Sequence, residues 1–499
     1  MCGIFGFIGN RSAAPLLVDG LRRLEYRGYD SSGIVVKNGN LQFFKKVGKV
    51  SELTKILPDH IIGNSGIAHT RWATHGGVSD ANAHPHMSQN GEIAVVHNGI
   101  IDNARRLRNR LTERGIELKS ETDSEVLVHM ISIGIESGQE PLEAVRKTLT
   151  RITGTWGLCV LFKEYDMIVC ARNGSPLILG QGEGESFVSS DPHALTQHTQ
   201  NFFFLEDGDM AVITRDRIDI SRLEGGMSST SLTVIEDEWG EADMAGFPHY
   251  MLKEIHEQAE ALRRCIAGRL DMSNGSAKLG GLRLDPVRLR TIPHVRLIGC
   301  GTALNACKIG QLAIESLARI PAVAHVASEF RYNDPVINPN ALHFAVSQSG
   351  ETADTLSAVK EIQLKGGDVH GIVNVVGSTI ARKCGQGVYI HSGPEQAVAS
   401  TKAFTNMVAS LLLFAIRIGR TRNFSREKGQ SIIKDFERVP ELIENYLANP
   451  GPIDEAVELV KDAKSVLFLG RGLSAPRCKR RRTQADGNCL HTLPCLPCG

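Results

Sequence analysis

A cysteine directly follows the initiator methionine. A small residue at position 2 normally allows Met1 to be removed, which would leave Cys2 with a free α-amino group. Because an α-amino group has a pKa of roughly 7.7 to 8.0, it can act as a general base toward its own thiol near neutral pH. The nucleophile and its base would then occupy one residue. Taken alone, Cys2 is better interpreted as an accidental cysteine, and only its neighbours in the fold change that interpretation.

Polar clusters lie at the ends of four predicted apolar strands, at residues 69–76, 82–86, 96–100 and 121–124. A thiol that hydrolyses an amide needs an oxyanion hole, a clamp for the substrate carboxylate and a clamp for its amine. The side-chain amide of Asn98 and the backbone N–H of Gly99 can supply the oxyanion hole. Arg71 can bind the carboxylate through two parallel hydrogen bonds, and Asp123 can bind the amine. The alternative for Asn98 and Gly99 is a hairpin turn, which this dipeptide often forms.

A second set of polar loops lies in the C-terminal half of the chain. One loop joins a predicted strand, residues 342–346, to a helix that begins at about residue 353, and its polar side chains belong to Ser347, Gln348, Ser349 and Thr352. Hydroxyls, free backbone N–H groups and the positive end of the helix dipole suit such a loop to phosphate. An ordinary Ser/Thr N-cap has the same composition. Residues 299–302 and 392–402 supply two further polar loops, and we expect all three loops to meet at one sheet edge.

The glycines at positions 299 and 301 form only part of a dinucleotide-binding signature. Leu304 occupies the place of the third glycine, and no acidic residue follows at the expected distance. No GxxxxGK[ST] sequence occurs near Ser347. A monophosphate is therefore the favoured ligand class.

The first half of the chain, residues 2–235, alternates short apolar segments with Gly/Asn/Asp turns. This pattern predicts a sheet-rich α/β domain, with helices over residues 14–23 and 124–136. An acidic, Gly/Ser-rich stretch with little apolar content follows. We place a linker over residues 236–249.

The second half begins with a predicted helix over residues 250–264 and continues with repeated strand, small-residue loop and long helix units. These units predict a doubly wound parallel α/β domain over residues 250–430. Residues 295–301 resemble residues 466–472, which indicates an internal duplication. Residues 455–473 would then begin a second copy, which we expect to be truncated.

The composition excludes several classes of protein. The 499 residues include 56 Lys and Arg against 55 Asp and Glu, so no overall charge attracts the chain to nucleic acid or to an anionic membrane. A content of 42% hydrophobic and 22% charged residues is typical of a soluble globular protein. We predict no signal peptide and no stretch of membrane-spanning length. Scattered single cysteines indicate free thiols in a reducing cytoplasm: Cys159, Cys170, Cys265, Cys300, Cys307 and Cys384.

The N-terminal half resembles the glutaminase domain of the class II glutamine amidotransferases, which are N-terminal-nucleophile hydrolases with αββα layers. The resemblance rests on residues 2–6, 26–31, 69–76 and 97–99. In that family the N-terminal cysteine attacks the side-chain amide of glutamine and releases ammonia. The resemblance implies Cys2 as the nucleophile and Asn98 and Gly99 as the oxyanion hole. It implies a glutamine pocket formed by Arg71, Trp72, Thr74, His75 and Asp123. A metal is not part of this chemistry, so we interpret His84 and His86 as structural residues.

The polar loops of the second half resemble those of the sugar isomerase (SIS) domain, and the whole chain resembles the glutamine:fructose-6-phosphate amidotransferase family. The resemblance implies a sugar-phosphate site formed by Thr302, Ser347, Gln348, Ser349 and Thr352 and lined by Val398 and Ser400. The family usually has serine where this chain has Ala303. The resemblance also implies a cytoplasmic homodimer that acts on glutamine and fructose 6-phosphate, with no cofactor, metal, nucleic acid or membrane.

The sequence departs from this family after Leu473. The family continues with a helix that carries the catalytic Lys and Glu of the isomerase, whereas residues 474–499 are rich in Arg and Cys. A Cys/His zinc site with irregular spacing is one interpretation, and a basic tail that binds nucleic acid is another. We prefer a third, translation out of frame. We assigned one codon to each of residues 482–492 and shifted the reading frame by one base. The translated peptide is then ALKLTEIAYI, which resembles the missing helix.

This interpretation predicts that glutamine hydrolysis survives in the chain as written, while amino-sugar formation is lost or severely weakened. Two alternatives remain open. The chain could be a sugar-phosphate sensor without catalytic activity, for which the residues around Cys2 have no use. It could also be the inactive product of a damaged gene.

Overall fold

A computed structural model describes residues 2–73, 76–234 and 244–463. The chain forms two compact units, Met1–Glu241 and Ala242–Gly499. The predicted linker lies partly outside the described residues. Residues 464–473 of the predicted second subdomain and the whole predicted tail, residues 474–499, also lie outside them.

The first unit is built mainly from antiparallel strands. Its strands are β1 (Gly3–Gly9), β2 (Ser31–Asn38), β3 (Asn40–Val47), β4 (Ser65–Arg71), β5 (His86–Met87), β6 (Ile93–Ile101), β7 (Gly154–Phe162), β8 (Ile168–Asn173), β9 (Ile178–Gln181), β10 (Glu185–Ser189), β11 (Asn201–Phe204), β12 (Asp209–Ile213), β13 (Ile218–Arg222) and β14 (Leu232–Val234). Its helices are α1 (Ala13–Leu24), α2 (Val50–Thr54), α3 (Ala104–Glu113), α4 (Glu125–Glu136) and α5 (Pro141–Leu149). The helices predicted over residues 14–23 and 124–136 correspond to α1 and α4.

Two sheets stack between helices in this unit. The first has the strand order β14-β11-β9-β10-β1-β4-β2-β3, and the second has the order β13-β12-β8-β7-β6-β5. Side chains such as Ile4, Ile67 and Val96 fill the space between the two sheets. Separate apolar clusters lie under α1 and α2 on one outer face and under α3, α4 and α5 on the other. The layers are therefore αββα, as predicted.

Strand β1 occupies the middle of the first sheet. It pairs with β4 on one side, where Gly3 faces Thr70, and with β10 on the other, where Phe5 faces Ser189. All seven of its residues are buried because both faces of the sheet are covered. Cys2 precedes this strand directly and is half-buried.

The second unit alternates strands and helices. Its strands are β15 (Leu270–Asp271), β16 (Ser276–Ala277), β17 (Val295–Gly299), β18 (Ala322–Val326), β19 (Leu342–Ser347), β20 (Asp368–Val373) and β21 (Gly387–Tyr389). Its helices are α6 (Tyr250–His256), α7 (Gln258–Ile266), α8 (Pro286–Thr291), α9 (Gly301–Ala318), α10 (Ala327–Tyr332), α11 (Ala353–Leu364), α12 (Thr379–Cys384), α13 (Lys402–Arg422), α14 (Arg426–Glu437), α15 (Val439–Leu447) and α16 (Gly451–Val460).

Five parallel strands form the main sheet of this unit, in the order β18-β17-β19-β20-β21. Adjacent side chains on a strand point to opposite faces, so Leu297 packs with α9 and α13 while Ile298 packs with α10 and α11. Helices therefore cover both faces, and the sheet is doubly wound as predicted. The strand order reverses between β17 and β19, and ligands of such sheets bind at the carboxyl ends of the strands beside that reversal.

Two predictions about helices in this unit are wrong. The helix predicted over residues 250–264 is divided at Glu257 into α6 and α7, and the side chain of Gln258 donates to the Ile255 carbonyl at the break. Helix α13 is long and apolar enough to span a membrane by length and composition, contrary to prediction. However, 78% of its apolar window is buried inside the unit, which identifies α13 as a core helix.

Replacement of Phe344 should test the core of the second unit. Phe344 is fully buried on β19, and its ring meets that of Phe414 on α13 edge to face at 4.8 Å between centroids. We expect Phe344→Ala to lower the free energy of unfolding by about 3–5 kcal/mol, measured by urea unfolding followed by circular dichroism. Val323→Ala, at a half-exposed position of edge strand β18, should cost less than about 1 kcal/mol. Equal losses in the two variants would contradict the assigned core.

Candidate functional site

The thiol of Cys2 lies against the main chain of Trp72, just after β4. Its Sγ accepts a hydrogen bond from the Trp72 N–H at 3.2 Å and lies 3.6 Å from the Trp72 carbonyl oxygen. Burial raises the pKa of the Cys2 thiol, and the Trp72 N–H and the nearby guanidinium groups of Arg71 and Arg27 oppose that rise. A thiol with a raised pKa is mostly protonated at pH 7, so it needs a base to become a nucleophile.

The main chain of Cys2 is fixed by residues distant in sequence. Its carbonyl oxygen accepts hydrogen bonds from Arg27 Nε at 3.3 Å and from Asn98 Nδ2 at 3.1 Å. Arg27 is itself held by Asp191, at 2.9 Å between Nη1 and Oδ2, and both side chains are almost fully buried. Tyr26 donates to the same carboxylate oxygen at 2.6 Å. Sequence reasoning gave no role to Arg27 or Asp191, although Arg27 belongs to the motif at residues 26–31.

The amide of Asn98 has a single orientation because the Cys2 carbonyl oxygen can only accept a hydrogen bond, so Nδ2 must face it. His69 Nε2 lies 3.0 Å from Asn98 Oδ1, and burial lowers the pKa of His69 to about 3. The ring is therefore neutral at pH 7, and Nε2 must carry the proton because an amide oxygen can only accept. The NH₂ group of Asn98 then points toward Cys2. Beyond the Cys2 carbonyl, no acceptor for it is present among the residues that the structure describes, so one N–H remains for a substrate oxygen.

The interpretation of Asn98 and Gly99 as a hairpin turn is wrong. Both residues lie inside β6, where they pair with Gly157 and Trp156 of β7. Gly99 has a φ of 136°, and a Cβ there would lie 2.1 Å from the Thr155 carbonyl oxygen. Only glycine fits at this position.

Four buried histidines pack beneath this part of the site. The rings of His69 and His84 stack at 4.2 Å between centroids, and His84 meets His86 edge to face at 4.5 Å. His97 Nδ1 lies 2.7 Å from the hydroxyl of Ser124. Burial lowers the pKa of each of these histidines below its ordinary value. At neutral pH the cluster is uncharged, and it supports the strand that carries Asn98.

Arg71 and Asp123, the residues predicted to bind the substrate carboxylate and amine, lie in the same part of the first unit as Cys2. The guanidinium of Arg71 donates to the carbonyls of Gly77 at 3.1 Å and Gly76 at 3.4 Å, and burial lowers its pKa. Asp123 Oδ2 accepts the Ile101 N–H at 2.7 Å, at the end of β6. Nearby negative charge, including that of Asp123, favours the charged form of Arg71.

The segment after β4 is held close to residues 28–30, which precede β2, by two features. Asp30 accepts the N–H of Ala73 at 2.8 Å. A Cβ at Gly28 would lie 2.7 Å from the carbonyl carbon of Arg71, so a glycine is required for this approach. The side chain of Trp72 is 38% exposed and meets the ring of Tyr29 edge to face. The predicted pocket residues Thr74 and His75 lie outside the described residues.

In the second unit, the loop after β19 forms a closed turn at the start of α11. The hydroxyl of Ser347 lies 2.8 Å from that of Thr352 and accepts the N–H of Gly350 at 3.0 Å. The hydroxyl of Ser349 accepts the N–H of Glu351 at 3.2 Å. Hydroxyls and the free N–H groups of the helix start therefore lie together, an arrangement that suits an anion.

The other predicted residues occupy loops at the same edge of the sheet. Thr302 lies in the first turn of α9, after β17, and Ala303 beside it is buried. β17 and β19 are the adjacent strands at which the sheet order reverses, so their loops flank the expected ligand crevice. Val398, which is 48% exposed, and Ser400 belong to the long loop that follows β21.

Asn374 joins two of these loops. Its main-chain N–H donates to the Gln348 carbonyl at 3.1 Å. Its Oδ1 accepts the main-chain N–H and the hydroxyl of Ser392, and its Nδ2 donates to the Gly393 carbonyl at 2.8 Å. The loop after β19 and the loop after β21 are thus connected through one residue, by its main-chain N–H on one side and its side-chain amide on the other, and the sequence analysis did not identify it.

Comparisons with known proteins match both units. The glutamine amidotransferase domain matches residues 69–197, and the SIS domain matches residues 288–417. Glutamine–fructose-6-phosphate aminotransferase [isomerizing] of Chlorobaculum tepidum is 44% identical over 489 residues, which cover 95% of this chain and 79% of the relative. The protein of the same name from Thermus thermophilus is 43% identical over 479 residues, with coverage of 95% and 78%.

Among solved structures, the C-terminal domain of glucosamine-fructose-6-phosphate aminotransferase from Francisella tularensis is 30% identical. The match has a TM-score of 0.49 and covers 52% of this chain and 72% of that chain.

Removal of the Asn98 amide should test the oxyanion hole. We expect Asn98→Ala to lower kcat for glutamine hydrolysis by roughly 10²- to 10³-fold with little change in KM, because the N–H stabilises charge that develops in the transition state. Glutamate release under steady-state conditions measures both constants. Asn38→Ala, at the exposed end of β2, is the matched control and should keep wild-type kcat. An unchanged kcat in Asn98→Ala would contradict the assigned role.

Proposed function

Because this chain belongs to the glutamine–fructose-6-phosphate aminotransferase (isomerizing) family, we propose that its reaction converts glutamine and fructose 6-phosphate to glutamate and glucosamine 6-phosphate. This reaction is the first step of amino-sugar synthesis. The observation that carries the proposal is the placement of the Cys2 thiol beside an Asn98 amide that donates to the Cys2 carbonyl and accepts from His69. We further propose that the protein is a cytoplasmic homodimer that needs no cofactor or metal.

The first half-reaction takes place in the first unit. After removal of Met1, the α-amino group of Cys2 takes the thiol proton, and Sγ attacks the side-chain amide carbon of glutamine. The carbonyl oxygen becomes an oxyanion that the N–H groups of Asn98 and Gly99 bind. The tetrahedral intermediate collapses, the amide nitrogen takes the proton and leaves as ammonia, and a thioester remains. Water then attacks the thioester, which releases glutamate and restores the thiol.

The glutamine itself would be held at its α-carbon substituents. Arg71 carries the positive charge that pairs with the α-carboxylate, and Asp123 carries the negative charge that pairs with the α-ammonium group. We assign Trp72, Thr74 and His75 to the same pocket on the basis of the family resemblance. The raised pKa of Cys2 explains why the α-amino base is needed.

The second half-reaction uses the ammonia in the second unit. We propose that the phosphate of fructose 6-phosphate binds the hydroxyls and N–H groups of the loop after β19, with Ser347, Gln348, Ser349, Thr352 and Thr302 as its ligands. Val398 and Ser400 would line the sugar side of the site. Ala303 has no hydroxyl for the sugar phosphate, which should weaken binding relative to a serine at that position.

The segment after Leu473 limits this second half-reaction. The relatives cover 95% of this chain. We propose that residues 474–499 are translated out of frame and therefore lack the catalytic Lys and Glu that the family resemblance implies. The glutaminase half would then be active while the isomerase half is impaired.

A product assay tests the proposed function. Purified protein is incubated with glutamine and fructose 6-phosphate, and glutamate and glucosamine 6-phosphate are measured separately. We expect glutamate to form with little or no glucosamine 6-phosphate, and Cys2→Ala to abolish glutamate release. Cys384→Ala, a half-buried cysteine of the second unit, is the matched control and should behave as the wild type. Glutamate release that persists in Cys2→Ala would overturn the assigned nucleophile.

Sequencing of the coding DNA tests the frame of the last segment. We expect the codons of residues 482–492, read one base later, to encode ALKLTEIAYI or a close variant of it. Codons that give an unrelated peptide or a stop in that frame would refute the frameshift. In that case, formation of both products in the assay would show that the segment as written supports the complete reaction.

A further inference from the structure

The loop after β21 is held by the first two helices of the second unit. We define the β21 loop as residues 391–401, which have no helix or strand. At its start, Arg264 of α7 donates to the carbonyls of His391 and Ser392 at 3.4 Å. Just beyond its end, Glu257 pairs with Lys402 at 2.6 Å. Contacts from α7 and from Glu257, which lies between α6 and α7, therefore fix both ends of the loop that presents Val398 and Ser400.

Glu254 of α6 holds the middle of the β21 loop. Its Oε1 accepts the main-chain N–H groups of Gln396 at 2.5 Å and Ala397 at 3.0 Å. The residue is 2% exposed, and its Oε2 is buried without a hydrogen-bond partner among the described residues. A buried carboxylate is costly, and here the two N–H groups are the contacts that offset part of the cost.

Burial and a neighbouring negative charge disfavour the ionised form of Glu254, and the two main-chain hydrogen bonds oppose this effect. Burial and the neighbouring carboxylate of Glu395 raise the pKa of Glu254 to about 7, while the N–H groups of the loop and the charge of Lys402 oppose the rise. Glu395 is itself buried and accepts the N–H groups of Thr401 and Ala403 at the start of α13. One carboxylate therefore anchors each side of the turn that carries Val398 and Ser400.

We propose that Glu254 is a positioning residue for the sugar-phosphate site, because its carboxylate fixes the main chain from which Val398 and Ser400 extend. This inference rests on the proposed function, which assigns those two residues to the sugar site. Glu254 acts through the loop and does not touch the substrate. The contact that matters is acceptance of two N–H hydrogen bonds, so an uncharged acceptor of the same length should replace it.

Binding of fructose 6-phosphate to the full chain, measured by isothermal titration calorimetry, tests the proposal. We expect Glu254→Ala and Glu254→Asp to raise Kd at least tenfold, since alanine has no acceptor and aspartate is one methylene too short. Glu254→Gln should stay within about threefold of the wild type. Glu260→Gln, on the exposed face of α7, is the matched control and should leave Kd unchanged. Circular dichroism restricts the comparison to variants that fold.

Each outcome has a distinct meaning. Wild-type Kd in folded Glu254→Ala or Glu254→Asp would overturn the positioning role and leave the proposed function intact. A Glu254→Gln variant that binds as weakly as Glu254→Asp would also overturn it, because the charge and not the acceptor would then be required. Failure of the wild-type chain to bind fructose 6-phosphate would instead contradict the sugar-phosphate site itself. In all variants, glutamine hydrolysis without sugar should keep the wild-type rate. A general loss of folded protein would lower that rate.

Discussion

The central position of β1 is the constraint on which the first unit depends. The first residues of a chain are usually mobile because they have neighbours on one side only. Here hydrogen bonds to β4 and β10 begin at the first residues of the strand, and helices and a second sheet cover its two faces. Cys2 therefore has a fixed main chain, and the buried Arg27–Asp191 pair holds its carbonyl. The NH₂ group of Asn98 keeps its direction because the Cys2 carbonyl oxygen, which accepts one of its hydrogen bonds, is held in place.

The second unit places its polar groups by a different device, the direction of parallel strands. Loops that follow parallel strands meet at one edge of the sheet, and the reversal of strand order between β17 and β19 opens a crevice there. Helices α9 and α11 begin at that edge and direct their free N–H groups into it. The hydroxyls of Ser347 and Thr352 then need only short local contacts to complete the turn.

Local patterns in the sequence were enough to predict the α/β class, the main helices and the loops that carry polar residues, whereas the αββα order of the layers came from the family resemblance. Helix α1, for example, follows from apolar spacing within twelve residues. The sequence did not predict the roles of His69 and Glu254, whose contacts span 29 and 142 residues, because pairing at such separations depends on the assembled fold. Asn98–Gly99 was ambiguous for a related reason. The dipeptide suits a turn, and only the pairing of β6 with β7 places it inside a strand.

The tie that Asn374 forms between two loops has a consequence for the entropy of binding. A loop that moves freely loses conformational entropy when a ligand orders it, and two independent loops would each bear that loss. Asn374 joins the main chain at Gln348 to the main chain at Ser392 and Gly393, so a displacement of one loop would break contacts with the other. A ligand that contacts one of them thus meets a partner loop that is already restrained. Part of the ordering cost has been met during folding, and more of the contact energy remains available as affinity.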